Sequence, residues 1–357
     1  MGPKGLLSMC ENVKKRHSWE DFRGKIIVMD VMYQLNRMSK SKYHNNINHV
    51  YNFLKVICRY LSIGIIPLPV FDGKVRKEKM KTVNYRRTKM NKMNEINDTK
   101  NSVITGLDII ACKQLLDHMK LSYIESNGEA DSLCVKIANH YSDSIAGIFS
   151  KDADMLIFGC KTMIYESTEQ KDELISIDRD EVIDYFNSRS ENIRRENKLE
   201  PLIFTFNNLV EYSLLLGTDY RNVNDQNCSI KGLDKNTLFE IFVLADYDAC
   251  KMVKFIKSDN ETDEIVYKIK KKLENRTFSI SEEFDSVFEE TKQIYMENSD
   301  VDVDTVELLK ISDENFNVDT TELYSFLLLN HVTKSKDVIQ FVSHLSNMYN
   351  SILHYIT

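Results

Sequence analysis

The sequence predicts an α/β fold built on a mainly parallel sheet, and three observations predict it. Apolar runs of strand length at residues 24–31 (GKIIVMDV), 65–72 (IIPLPVFD) and 145–152 (IAGIFSKD) each contain or end in an acid. Helical stretches lie between them, at residues 48–63, 107–120 and 128–140. Strand and helix therefore alternate, the pattern of crossover units in a parallel sheet. Residues 121–124 add a short strand. Residues 205–217 read as a further helix, which ends at LLLGTDY. Beyond about residue 240 the pattern is helical and acidic. The expected organisation is a core over 1–240 with a helical, acidic region over 241–357 packed on it.

At 357 residues the chain can bury one large core or two small ones. Eleven glycines and four prolines leave little room for linkers. No run is long enough to span a bilayer. The N-terminus lacks the apolar stretch of a secretion signal. Met1-Gly2 is followed at position 6 by Leu6, where a myristoylation signal has Ser or Thr. The seven cysteines form no CxxC pair, which predicts reduced thiols, an intracellular setting and no zinc site. The eight histidines form no metal-like cluster.

A net charge of −7 argues against a nucleic-acid partner until its distribution is considered. Residues 74–92 hold nine bases (Lys74, Arg76, Lys77, Lys79, Lys81, Arg86, Arg87, Lys89, Lys92) and one acid, Glu78. Residues 281–322 hold fourteen acids and two lysines. Local basic density governs affinity for phosphate, whereas a distant acidic face contributes mainly solubility. The competing reading of the basic run is a solvated helix face.

Asp30, Asp72 and Asp152 each fall at the carboxyl end of a predicted strand, where open parallel sheets bind ligands. Acids gathered there repel one another unless cations neutralise them, and hard divalent cations prefer oxygen ligands. Asp152 and Asp154 are spaced i, i+2, which in an extended segment puts both on one side. Glu129 and Asp131 share the spacing at a helix start, where it requires a non-helical first turn. Asp219 closes the set. Singly, each acid reads as well as a turn former or helix cap. Seven at successive element ends read better as a site.

The segments MGPKGLL, VMD (Asp30), VFDGK (Asp72), GEADSLC (Glu129, Asp131), SKDADMLIFG (Asp152, Asp154) and LLLGTDY (Asp219) resemble, in order, the flap endonuclease family of structure-specific 5′ nucleases. That family also holds exonuclease 1 and the XPG-type repair nucleases. The resemblance covers residues 1–240. It implies a PIN-like 5′ nuclease fold with the seven acids as ligands of two Mg²⁺ or Mn²⁺ ions. Asp152, Asp154 and Asp219 lean to one ion, and Asp72 and Asp131 to the other. It also implies a helical arch over about 73–105, from which Lys79 and Arg86 reach the scissile phosphate. Lys74, Arg76 and Arg87 are implied backbone contacts, with Gly2 at the N-terminus. A helix–two-turn–helix over about 205–240 would grip duplex DNA through Ser229, Lys231 and Gly232, with K⁺ as a candidate ligand.

Some departures bear on selectivity. Asp234 replaces the family's second glycine there, and the insertion RNVNDQNC precedes it. Asp72 and Glu129 are 57 positions apart, fewer than is usual in the family, which suggests a reduced arch. Tyr33 lies too close to Asp30 for the family's base-stacking tyrosine and reads as core. No sliding-clamp motif is evident. The function implied is DNA hydrolysis at 5′ flaps during replication, repair or recombination, by a monomer acting on branched or 5′-ended duplex. Its place of work would be the nucleus or another site of DNA replication, or a cytoplasmic factory for a viral chain. The alternatives are an exonuclease 1-like 5′→3′ enzyme, and an inactive scaffold that binds branched DNA.

Overall fold

The computed structural model describes residues 3, 5–39, 48–74, 104–170, 172–220, 227–260, 262–296 and 318–332, with single residues within 77–88 and 340–348. Its centre is a seven-stranded sheet: β1 (Lys14–Ser18), β2 (Ile26–Asp30), β3 (Ile66–Phe71), β4 (Ile124–Glu125), β5 (Ile145–Phe149), β6 (Thr162–Glu166) and β7 (Glu173–Asp178). The spatial order is β1-β7-β6-β5-β2-β3-β4. The stretch from β6 to β4 is parallel, as expected; β7 is antiparallel to β6, and β1 to β7. From β2 the chain winds outward through β3 and β4, then returns to the other side of β2 for β5 and β6. That reversal creates a crevice at the carboxyl ends of β2 and β5.

The helices are α1 (Leu6–Met9), α2 (Val31–Ser39), α3 (His49–Ile63), α4 (Gly106–His118), α5 (Ala130–His140), α6 (Asp154–Ile157), α7 (Arg179–Glu196), α8 (Phe206–Leu216), α9 (Lys235–Leu244), α10 (Ala249–Lys257), α11 (Glu264–Leu273), α12 (Phe284–Met296) and α13 (Thr320–Leu329). They cover both faces of the sheet. Val28 of β2 and Ile148 of β5 point into a core shared with α5 to α12, while Ile27, Met29 and Phe149 point into one shared with α2 to α4 and α13. Two buried faces explain why these strands read as continuous apolar runs. Residues on both sides of position 240 enter the first core.

β3 carries Pro67 and Pro69 within a buried strand. Ile66 donates its N–H to Lys25 of the β2 side, so the alternate residues 67 and 69 face away from β2. On that side β4 pairs only with Val70 and Phe71. The missing donors of the prolines therefore fall where the ladder has no strand to bond.

The loops that carry the acids are fixed by local chemistry. Gly73 is required by close packing, because a Cβ there would lie 2.0 Å from the Ser126 carbonyl oxygen. Its N–H donates to Gly128 at 2.7 Å, which clamps the exit of β3 onto the loop leading into α5. Helix α8 begins with a reciprocal capping box between Thr205 and Asn208 and stops at Gly217, whose φ is 103°. One expectation needs correction. The segment from Asp152 to Asp154 is not extended: β5 ends at Phe149, Ala153 is helical (φ −65°, ψ −16°), and Asp154 opens the short α6. The pair is brought together by this turn, in which the Asp154 N–H donates to Asp152 Oδ1 at 3.2 Å.

Candidate active site

The acid at the end of β2, Asp30, is buried and accepts the Tyr33 N–H at 2.9 Å. That contact gives Asp30 part of the helix-capping role that a lone acid would have. Asp72 follows β3, and its Oδ1 accepts the Ala130 N–H at 2.6 Å. Asp72 thereby caps α5 from outside that helix. Glu129, at the N-cap position, is extended (φ −76°, ψ 141°) and makes no cap bond of its own. Its carboxylate is turned to other partners. Oε2 accepts the Tyr220 hydroxyl at 2.5 Å, and Oε1 lies 3.3 Å from Lys79 Nζ. Because Glu129 stands outside the helix and Asp131 inside its first turn, both reach the same ammonium. Lys79 Nζ is also 3.3 Å from Asp131 Oδ2.

Across the crevice, Asp154 is 1% exposed, and its Oδ1 accepts the Tyr295 hydroxyl at 2.8 Å. The Tyr220 and Tyr295 rings meet edge to face at 5.3 Å, so the two phenols form a wall behind the acids. Tyr33 packs against the α2–α3 side of the core, in line with its reading as a packing residue.

Electrostatics tie all seven acids into one cluster. Burial raises the Asp30 carboxyl well above the usual range, and Asp131, Asp72 and Asp152 raise it further. Asp154 is raised by burial and by Asp152 and Asp219. Burial likewise raises Asp72, against the pull of the Ala130 N–H and Lys79, although it is solvent-exposed at the crevice mouth. Asp131 is pushed up to about 6, mainly by burial, even with Lys79 beside it. Burial alone would lower Lys79; Asp131 and Glu129 instead hold its ammonium above the usual range, with Asp154 and Asp219 behind them. The thiol of Cys134, buried in α5, is raised by burial and by the charges of Asp30, Asp131 and Asp72.

Asp30, Asp72, Asp131 and Asp154 resist ionising chiefly because of burial, and neighbouring carboxylates add to it. Their donors are hard oxygens, which is the chemistry of a Mg²⁺ or Mn²⁺ site. Among the described residues no three His, Cys, Asp or Glu side chains are gathered tightly enough to hold a metal ion as they stand. The Lys79 ammonium lies between Glu129 and Asp131, where it partly neutralises them. Mg²⁺ commonly takes only one or two carboxylates directly and keeps several waters, so a looser acid ring suits it.

The other expected residues lie elsewhere. Gly2, Arg76, Arg86 and Arg87 fall outside the described residues. Lys74 is exposed at the exit of β3. Ser229, Lys231 and Gly232 lie in the turns between α8 and α9. The Lys231 main chain pairs with Ser279 in both directions, at 3.1 and 2.9 Å. Gly232 has φ 93°, and a Cβ on it would lie 2.2 Å from the Thr277 carbonyl oxygen. Its close backbone approach is thus to the segment after α11. Asp234 is occupied locally: it caps α9 through the Asn236 and Thr237 N–H groups and pairs with Arg276 at 2.5 Å. The Thr237 bonds, and then Arg276, hold its carboxyl well below the usual range. Its charge is therefore compensated within the protein.

Two tyrosines were not among the expected site residues. Tyr220 adjoins Asp219 within LLLGTDY, so the motif itself pointed to it. Tyr295 had no sequence signal, since it lies 141 positions from Asp154 in an acidic helical tract.

A mainly parallel sheet with an acid cluster at its carboxyl edge and helices on both faces defines a PIN-like nuclease fold. Family comparison gives the particular group. The XPG N-terminal domain matches residues 1–93 and the XPG I-region matches residues 120–219, together more than half of the chain. The chain belongs to the XPG-Rad2 family of 5′ nucleases, and membership implies use of a divalent metal. Flap endonuclease 1-B of Oryza sativa subsp. indica is 26% identical over 250 residues, covering 62% of this chain and 57% of its own length. The chain thus spans little more than half of that relative. The catalytic core of Rad2 in complex with DNA substrate superposes with a TM-score of 0.69 at 21% identity, covering 96% of this chain and all of that one. Flap endonuclease-1 from Methanococcus jannaschii does so with a TM-score of 0.61 at 19% identity, covering 96% of each chain. These structures share the fold. No helix among the described residues is long and apolar enough to cross a membrane.

Proposed function

We propose that the chain is a divalent-metal-dependent, structure-specific 5′ nuclease that hydrolyses DNA at 5′ flaps during replication, repair or recombination. The observation that carries this reading is the convergence of carboxylates from five separated motifs on one sheet edge, with Lys79 set among them. Asp152, Asp154 and Asp219 would hold one Mg²⁺ or Mn²⁺ ion, and Asp72 and Asp131 the other, with Asp30 and Glu129 in support. When bound, such ions supply a water of lowered pKa and stabilise a leaving oxygen.

The protein's own groups do the rest. Asp72 and Glu129 are held by the α5 N-terminus and by Tyr220, so the acids are oriented before substrate arrives. Lys79, with Arg86 from the same basic segment, would stabilise the extra negative charge on the phosphate as water attacks phosphorus and the bond to the 3′ oxygen breaks. Arg86 would do so through a fork that Lys cannot reproduce. The products are a 3′-hydroxyl end and a 5′-phosphate end. Residues 1–240 would form the nuclease core, with residues 241–357 packed on it. The turns bearing Ser229, Lys231 and Gly232 would follow the duplex backbone, and K⁺ is the ion to test there. The place of work would be where DNA is replicated or repaired.

The test compares labelled 5′-flap, nicked-duplex and single-stranded DNA with Mg²⁺ and with EDTA. Metal-dependent cutting at the flap junction supports the reading. Stepwise release from nicked duplex with poor flap cutting replaces it with a 5′→3′ exonuclease. Binding of branched DNA without any cutting replaces it with a scaffold.

A further inference from the structure

The buried contact between Tyr295 and Asp154 links the acidic C-terminal tract to the site, and nothing in the proposed mechanism requires it. Helix α12, which carries Tyr295, has no motif of its own. It is nevertheless anchored beside the acids. Phe284, Val287, Phe288 and Ile294 are buried in the core that α5 and α8 share, and Lys292 pairs with Glu211 of α8 at 2.6 Å. The anchoring leaves Tyr295 only 4% exposed, with its ring 4.7 Å from that of Phe158 and 5.3 Å from that of Tyr220. The confined phenol places its hydroxyl against Asp154 Oδ1, with the Thr218 side chain beside the same oxygen.

We propose that Tyr295 is a positioning residue: its hydroxyl fixes the Asp154 carboxylate by occupying Oδ1 and leaving Oδ2 for a divalent cation, so that the C-terminal helical region completes the metal site. A buried carboxylate without this donor could rotate about its last torsion, which has a broad minimum. Partners that orient metal ligands are typically worth 10–100-fold in metal affinity or activity. This inference rests on the metal-dependent nuclease reading above.

The test is Tyr295→Phe, which removes one oxygen and keeps the ring. Thr291→Val serves as control: it deletes another buried hydroxyl of α12, one that bonds the Val287 carbonyl at 2.7 Å and meets the Cys228 thiol rather than an acid of the site. Mn²⁺ binding is titrated calorimetrically without DNA, and flap cleavage is measured against Mg²⁺ concentration. Expected for Tyr295→Phe is a 10–100-fold weaker Mn²⁺ affinity and a matching rise in the Mg²⁺ needed for half-maximal cleavage, with KM for DNA unchanged and Thr291→Val like the parent. Parental metal affinity and cleavage in Tyr295→Phe would overturn the proposal, as would equal losses in both variants, which would indicate general loosening of α12. Asp154→Asn, assayed alongside, separates the two levels. If it binds Mn²⁺ and cleaves like the parent, the nuclease reading of this site has failed, and the role of Tyr295 fails with it. If it is inactive while Tyr295→Phe is parental, only the role of Tyr295 has failed.

Discussion

Replacing Asp131 with Asn should make the metal-free protein more stable while removing its catalysis. Asp131 is 15% exposed, and its carboxyl is pushed from an ordinary 3.8 up to about 6, chiefly by burial and despite Lys79. The sign follows from that direction. A carboxyl with a raised folded pKa binds its proton more tightly in the fold, so the fold is penalised as pH rises from about 4 through about 6. Each tenfold change in proton affinity is worth about 1.4 kcal/mol, which puts the full penalty at about 3 kcal/mol above pH 7. With an unfolding entropy of about 2.1 cal/mol/K per residue, that energy corresponds to roughly 4 °C in Tm for a chain of this length. Asn keeps the shape and carries no charge. In EDTA at pH 8, scanning calorimetry should show Asp131→Asn melting up to about 4 °C above the parent. At pH 5 the gain should fall to about half, because the parent then keeps its proton in the fold. A variant that melts at or below the parental temperature at pH 8 would refute the reasoning, since it would mean that Asp131 is well accommodated as an anion.

Three further outcomes are expected. Asp152→Asn or Asp154→Asn should abolish metal-dependent cleavage in a gel assay while binding of branched duplex, followed by fluorescence anisotropy, changes only a few-fold. Lys79→Ala should lower kcat by about 10²–10³ without altering which metals support cleavage, as expected for loss of a donor to developing charge; single-turnover kinetics would show it. Gly232→Ala should destabilise the fold by at least about 2 kcal/mol, since Ala meets both a left-handed backbone and the Thr277 carbonyl, and a fall in Tm measures it.

The parallel centre of the sheet and the acids Asp30 and Asp72 at its strand ends were legible in the sequence for one reason. Strands buried on both faces leave uninterrupted apolar runs, and the acids terminate them. The edge of the sheet was not legible. β1 reads KKRHS, with no buried residue to mark it, and it is held by pairing with β7 and by ion pairs such as Arg16 with Glu173. β6 and β7 each bury only short apolar runs between polar ends. The i, i+2 spacing of Asp152 and Asp154 fits a turn as well as a strand, and only the position where β5 stops decides between them. For Glu129 and Asp131 a regular helix could not bring both to one point; the structure resolves this with Glu129 alone outside α5, while the first turn that holds Asp131 is helical. Asp234 looked adverse as a bare acid; its compensation by Arg276 comes from 42 positions away and leaves no trace in the local sequence. Tyr295 was hidden by the same kind of distance.

The protonated thiol of Cys134 bears on which elements the crevice admits. A thiolate beside the acids would offer a soft donor and favour thiophilic ions such as zinc or copper(I), which would compete with magnesium at lower concentrations. The acids themselves prevent this, because their field adds to burial in keeping sulfur neutral. The same charges that surround the site thus also keep the neighbouring sulfur neutral, which leaves hard carboxylate oxygens as the donors that the crevice offers.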